Sequence, residues 1–264
     1  MTDPITKLIE FHSAHEEVLR GILVSGDVCK SAVLLCGGFE RSATTEQKFK
    51  TLADELAKRG IASLRFDHAG CGLSDGDFTH TTIQRMSENI MRARDVLEKE
   101  TGTHDFSVVG HSVAGCAIAR NHADFQKIVL LAPALNQKDL LRFWFTISTM
   151  KKQDPTVEVT WQNFKEYLNE AQFASDCART DKMMKAHYIV ADYFLENKEK
   201  EYTSLFQDDD TVLHIHGDAD DKVPMESIST AFKNGIIVKG GDHDCERPTM
   251  MKQWLGDAIS FIVG

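Results

Sequence analysis

Apolar positions along the chain fall into short runs separated by stretches with helical spacing. Ala32 to Cys36 (AVLLC) is apolar throughout, as a strand buried on both faces should be. Ile61 to Phe66, Phe106 to Val109, Ile128 to Leu131, Val212 to His216 and Gly235 to Val238 read as further strands. Between them, apolar residues recur every three or four positions. Phe49, Leu52, Ala53, Leu56 and Ala57 share one helical face, and Ile83, Met86, Ile90, Ala93 and Leu97 share another. The pattern predicts helices over Phe49 to Lys58, Ile83 to Leu97, Ser112 to Ala119, Met225 to Lys233 and Met250 to Ile262. Two short strands, Leu8 to His12 and Val18 to Val24, lead the series. Strand alternating with helix predicts an α/β fold: a mostly parallel sheet, helices on both faces, right-handed crossovers.

The alternation breaks after Pro133. From Leu135 to Phe206 no clear strand is visible, and the stretch is expected to be helical and amphipathic, as in Trp161, Phe164, Lys165 and Leu168. It holds all four tyrosines and two of the three tryptophans, so it must bury an apolar face against something. The expected organisation is a core formed by residues 1–134 and 207–264, interrupted by a helical cap over 135–206. Phe143, Trp144, Phe145, Trp161, Tyr188, Tyr193 and Phe194 are the cap's aromatic stock, most of them expected in its own core.

Composition narrows the function classes. The 264 residues carry 30 Lys+Arg against 40 Asp+Glu, a net charge of −10, and no basic run. That balance argues against nucleic acid as a partner, because phosphate binding needs a basic face. No stretch approaches the ~20 apolar residues of a membrane span. Met1 to Glu10 carries Asp3, Lys7 and Glu10 and no apolar signal core, so a secretory leader is not supported. The six cysteines show neither C-x-x-C nor metal-like spacing. They read as reduced thiols of a cytoplasmic protein. No metal and no organic cofactor is implied.

The sharpest chemical signal is Gly110-His111-Ser112-Val113-Ala114-Gly115, directly after a predicted strand and opening a predicted helix. A nucleophilic serine on a tight strand-to-helix turn needs that setting and small flanking residues. Alanine at 114 stands where glycine is usual and is small enough for the turn. A serine hydroxyl needs a base, and the base an orienting acid. The acid is sought in His216-Gly217-Asp218-Ala219-Asp220-Asp221-Lys222-Val223-Pro224, just past a strand's C-terminal end. Of three aspartates, Asp220 fits H-G-x-x-D-x-x-V-P; Asp218 and Asp221 read as turn-forming or solvated. The base is His243, in Gly240-Gly241-Asp242-His243 after the last strand. An oxyanion hole needs two backbone N–H groups. Val113, following the nucleophile, supplies one; the loop Cys36-Gly37-Gly38-Phe39 supplies the other, from Phe39 or, second, Gly38. His111, Trp144 and Tyr193 are candidate substrate contacts. Asp67 to Gly76 lacks both G-x-G-x-x-G and a P-loop lysine, so it reads as a structural turn beside the site.

In chain order these segments are G-G-F, R-F-D-x-x-G-x-G-x-S-D-G, G-H-S-V-A-G, H-G-D-A-D-D-K-V-P and G-G-D-H. The series resembles the α/β-hydrolase superfamily over the whole chain apart from the insertion. Within it, Ile61 to Gly76, Gly110 to Gly115 and His216 to Pro224 look most like cinnamoyl/feruloyl esterases and their serine aminopeptidase-like relatives. The resemblance implies an α/β-hydrolase fold with an inserted helical cap. It implies a triad of Ser112, Asp220 and His243, with an oxyanion hole from Phe39 and Val113. Two departures stand out: Cys36-Gly37-Gly38-Phe39 replaces the usual His-Gly-Phe, and Ala114 replaces glycine. The expected activity is cleavage of a small-molecule carboxylic ester with a small, medium or aromatic acyl group. A thioesterase, acyltransferase or peptidase would use the same triad, and a non-catalytic ligand-binding protein on the same fold is the rival from another class. No nucleic-acid or membrane partner is expected, and a homodimer remains open.

Overall fold

The computed structural model describes residues 4–26, 29–184, 187–228 and 232–264. Its strands are β1 (Ile5–His12), β2 (Val18–Ser25), β3 (Ala32–Cys36), β4 (Ala62–Phe66), β5 (Phe106–His111), β6 (Lys127–Leu131), β7 (Lys182–Met184), β8 (His187–Ile189), β9 (Val212–Gly217) and β10 (Asn234–Val238). Its helices are α1 (Gln47–Ala57), α2 (Ile83–Thr101), α3 (Ala114–Ala119), α4 (Gln137–Gln153), α5 (Phe164–Tyr167), α6 (Glu170–Cys177), α7 (Ala191–Asn197) and α8 (Pro248–Val263).

Eight strands make one sheet in the order β1-β2-β4-β3-β5-β6-β9-β10. β2 is antiparallel to both β1 and β4, and every other neighbouring pair is parallel. The continuous apolar runs are explained by layers on both faces. Leu34, Leu64, Val108 and Ile128 pack with Ile90 of α2 and Ile118 of α3 on one side. Val33, Leu35, Val109 and Ile215 pack with Leu52 of α1 and Trp254 of α8 on the other. Adjacent residues of one strand therefore serve different cores; β3 is apolar throughout, while Ser63 and Arg65 of β4 and Ser107 of β5 are buried polar positions.

The parallel strands end in register. Cys36 pairs with Gly110, His111 with Leu131, and Val238 with Gly217. The loops after β3, β5, β9 and β10 thus open at one edge of the sheet, where α/β folds place their sites.

The chain between β6 and β9 holds α4 to α7. Arg142 of α4 ties this segment together. Its guanidinium meets Glu170 of α6 at 2.9 Å, Glu199 at 2.9 Å and the carbonyls of Lys138 and Lys198, and lies over the Phe173 ring. Phe143, Trp161 and Phe164 form an aromatic cluster beneath it. The segment meets the sheet's edge through Trp144 Nε1, which donates to the Lys222 carbonyl at 2.6 Å.

Four expectations are corrected. The segment contains a two-stranded antiparallel ribbon, β7 and β8, where no strand was expected. Three residues per strand are too few to show period-two alternation. The helix expected from Trp161 to Leu168 is a single turn, α5, because Leu168 is already extended. The helix expected over Met225 to Lys233 is a 3₁₀ turn, Met225–Ser227, with Ile228 extended after it. Residues 229–231 lie outside the described residues. The helix after the serine also begins two residues later than expected, at Ala114. Among the described residues no helix is long and apolar enough to cross a membrane.

Candidate active site

Ser112 stands between β5 and α3 with φ +57°, a left-handed backbone rare for a residue with a side chain. Its N–H donates to the Leu131 carbonyl at 2.9 Å, and its carbonyl accepts from Ala134 at 3.2 Å and Gly115 at 3.1 Å. These bonds hold the turn on both sides. Crowding explains the small residues around it: a Cβ on Gly110 would lie 2.4 Å from Ile118 Cδ1. Ala114 keeps an ordinary helical backbone, and its Cβ faces the space that Gly110 leaves.

His243 Nε2 lies 3.0 Å from Ser112 Oγ, and His243 Nδ1 lies 2.8 Å from Asp220 Oδ2. A carboxylate only accepts, so Nδ1 carries the proton and Nε2 is free to take one from the serine. The other carboxylate oxygen, Oδ1, accepts from the amides of Lys222 and Val223, both at 2.9 Å. Burial acts to raise the Asp220 pKa. The hydrogen bonds from His216 and His243 outweigh it and hold the carboxyl well below the usual range, so it stays ionised at neutral pH. The loops carrying acid and base touch through glycines. A Cβ on Gly217 would sit 2.1 Å from the Gly241 carbonyl oxygen, and Ala219 N–H donates to that oxygen at 3.0 Å.

Among the described residues, the N–H groups of Phe39 and Val113 find no protein acceptor. Both residues line the same cavity as Ser112. Gly38 is packed under the serine, where a Cβ would fall 2.9 Å from Ser112 Cβ.

The cavity measures about 300 Å³ and is largely apolar. That is near the low end of the roughly 300–1,000 Å³ of small-molecule sites. Phe39, Val113, Leu141, Trp144, Tyr193 and Val223 form its walls. Tyr193 is buried, its ring 5.0 Å from that of Phe39 and its hydroxyl on Gln137 Oε1 at 3.3 Å. Burial pushes its pKa well up, so it remains a neutral phenol. His111 also borders the cavity, but its Nε2 donates to the His243 carbonyl at 2.9 Å and its ring lies 4.8 Å from that of His243. Its contact is with the backbone of His243.

The structure thus brings together Ser112, Asp220, His243, Phe39, Val113, His111, Trp144 and Tyr193. The competing aspartates stand apart: Asp218 accepts from Gly240 N at 2.6 Å, and Asp221 is exposed. Asp67 is fully buried and binds Thr44, Ser42 and Leu73, so its loop braces the turn after β3 without entering the cavity. Sequence reasoning missed Arg41, Leu141, Lys222 and Asp244 at the cavity wall. Arg41 Nη2 pairs with Asp244 Oδ1 at 2.6 Å and so links the turn after β3 to the His243 loop. No local motif marks such a pair, since the partners are two hundred residues apart. Among the described residues no group of His, Cys, Asp and Glu has metal-binding geometry.

Fold and site define an α/β hydrolase. The family model described as serine aminopeptidase, S33, matches residues 28–234, and the chain belongs to that family. No curated protein matches the sequence. Among solved structures, the esterase Est1E from Butyrivibrio proteoclasticus with ferulic acid bound superposes with a TM-score of 0.70 at 18% identity. The match covers 97% of this chain and 98% of that one. An esterase from Pyrococcus furiosus gives 0.65 at 14% identity over 98% and 91%. Mouse alpha/beta hydrolase domain-containing protein 10 gives 0.63 at 15% over 97% and 98%.

Proposed function

We propose that this hydrolase cleaves carboxylic esters by way of an acyl-enzyme on Ser112. The observation that carries the reading is the unbroken line from Ser112 Oγ through His243 to Asp220, opening on an apolar cavity. His243 takes the serine proton as Oγ attacks the acyl carbon. The N–H groups of Phe39 and Val113 hold the oxyanion. The imidazolium returns the proton to the leaving alkoxide, and a water activated by His243 then frees the acid.

The cavity's size and lining favour a small, medium or aromatic acyl ester, as expected of a feruloyl-esterase-like enzyme. An aminopeptidase must also hold a substrate ammonium. The carboxylate at the wall, Asp244, is already paired with Arg41, and Lys222 adds a second cation there. That charge pattern favours the ester over a free amino terminus. Residues 135–206 serve as a cap, since Leu141, Trp144 and Tyr193 close one side of the cavity. All six cysteines are free thiols, in keeping with a cytoplasmic setting.

The test is hydrolysis of p-nitrophenyl esters from acetate to long chains, with methyl ferulate and an acyl thioester added. Ser112→Ala should lower kcat by on the order of 10⁵-fold or more. A variant with near wild-type turnover refutes the reading, and the ester profile ranks the acyl groups.

A further inference from the structure

The line of polar contacts from Ser112 does not end at the carboxylate. β9 places His214 and His216 two residues apart, so both imidazoles project from one face of the sheet. His216 is fully buried. Its Nε2 lies 2.8 Å from the Val223 carbonyl oxygen and 3.3 Å from Asp220 Oδ2, the oxygen that also receives His243. Both neighbours only accept, so Nε2 carries a proton. Nδ1 of His216 faces His214 Nε2 at 3.0 Å. Where His216 accepts at that Nδ1, His214 is the donor. The His214 ring is packed against Phe232, with centroids 4.6 Å apart. Burial, with His216 beside it, pushes the His214 pKa down to about 3, so it is neutral at working pH.

We infer that His214 and His216 are positioning residues of the triad: His214 fixes His216 as its Nε2–H tautomer, and His216 holds Asp220 Oδ2 and the Val223 turn. Oδ1 is already held by two amides. The His216 N–H, bonded to the Val223 carbonyl at 2.8 Å and 3.3 Å from Oδ2, stands against rotation of the carboxylate away from His243 Nδ1. The benefit appears in the chemical step, because neither imidazole lines the cavity where substrate sits. This inference rests on the hydrolase reading.

The test needs no knowledge of the substrate. A fluorophosphonate reacts with an activated serine: Oγ bonds to phosphorus, fluoride leaves, and the serine proton passes to His243. Ser112→Ala serves as the blank. His216→Phe should lower the maximal labelling rate about tenfold to a hundredfold, the range that outer partners of metal-bound histidines command. The half-saturating probe concentration should not move. His216→Gln, whose amide can still donate to Asp220, should recover most of the loss. His214→Phe should fall between wild type and His216→Phe. ¹⁵N NMR of the wild type at pH 7 should show both imidazoles neutral and protonated at Nε2. Labelling of His216→Phe at the wild-type rate overturns the inference. So does a wild-type His216 found as an imidazolium or as the Nδ1–H tautomer. If His216→Phe does not fold, the tautomers and the His216→Gln and His214→Phe rates decide. Wild type that takes no label at all removes the hydrolase reading and this inference together. Labelled wild type with an unaffected His216→Phe removes the inference alone.

Discussion

Ser112 is held in a conformation that costs about 1–2 kcal/mol for a residue with a Cβ. The hydrogen bonds on its N–H and carbonyl offset that cost and aim Oγ at His243. At this scale the choice among three neighbouring aspartates is decided by partners. Asp220 alone of the three faces His243 and is buried, and Asp221 points to solvent. Asp220→Asn should lower kcat by about 10⁴-fold, as loss of the triad acid does elsewhere, with KM within a few-fold. Asp221→Asn should leave both constants unchanged. Steady-state kinetics on one activated ester checks the pair, and equal effects of the two substitutions would refute the assignment. Because the Asp220 carboxyl is held well below its usual range, protonation of Asp220 does not account for an activity loss between pH 5 and 7. Ser112, Asp220 and His243, which the structure hydrogen-bonds in one line, were legible as candidates because each lies in a short motif at a strand end. The Arg41–Asp244 pair and the second imidazole on Asp220 were not. Their meaning depends on which strands become neighbours, and H-x-H within β9 reads equally well as sheet surface.

Elements differ in how much sequence they need in order to be seen. β3 and β6 were legible from runs of five and four apolar residues and the other sheet strands from shorter apolar stretches, and α1, α2 and α8 from repeated three- and four-residue spacing. α3 and the 3₁₀ turn at Met225–Ser227 are too short for a period to develop, so the start of the one and the extent of the other were misplaced. The β7–β8 ribbon was missed for the same reason. The aromatic content of the insertion was informative in kind: Phe143, Trp161 and Phe164 fill its own core, while Trp144 and Tyr193 face the cavity. Leu141 of α4 joins them at that wall, and it predicts a specificity change. Leu141→Trp adds bulk to a cavity of about 300 Å³ and should reduce kcat/KM for long or aromatic acyl esters at least tenfold more than for acetate. Competition between two p-nitrophenyl esters measures the ratio directly. A uniform loss across the series would show that the wall does not select the acyl group.

Across the whole molecule, histidines that refuse a proton in the folded state set how the fold responds to acid. His68 follows β4 with its ring 5.0 Å from that of Phe66, and neither ring nitrogen has a partner among the described residues. Burial pushes its pKa down to about 4, and that of His214 to about 3. An unfolded histidine takes a proton near pH 6.5, whereas these folded ones refuse it. The unfolded state therefore binds more protons at every pH between 6.5 and the folded values. Stability is fully present above pH 6.5 and falls as pH drops toward 4. His68 contributes a loss on the order of 3 kcal/mol by pH 4, against a total of about 5–15 kcal/mol for a typical domain, and His214 acts in the same direction. The carboxylates held below their usual range, Asp220 and Asp209 among them, act in a lower window, below about pH 4, where the unfolded carboxyls protonate. The two windows separate the causes. Urea midpoints should fall steadily from pH 7 to pH 4, and His68→Leu should flatten that slope while leaving the decline below pH 4 in place. A variant with the wild-type slope would mean that His68 is protonated in the native state and has found an acceptor.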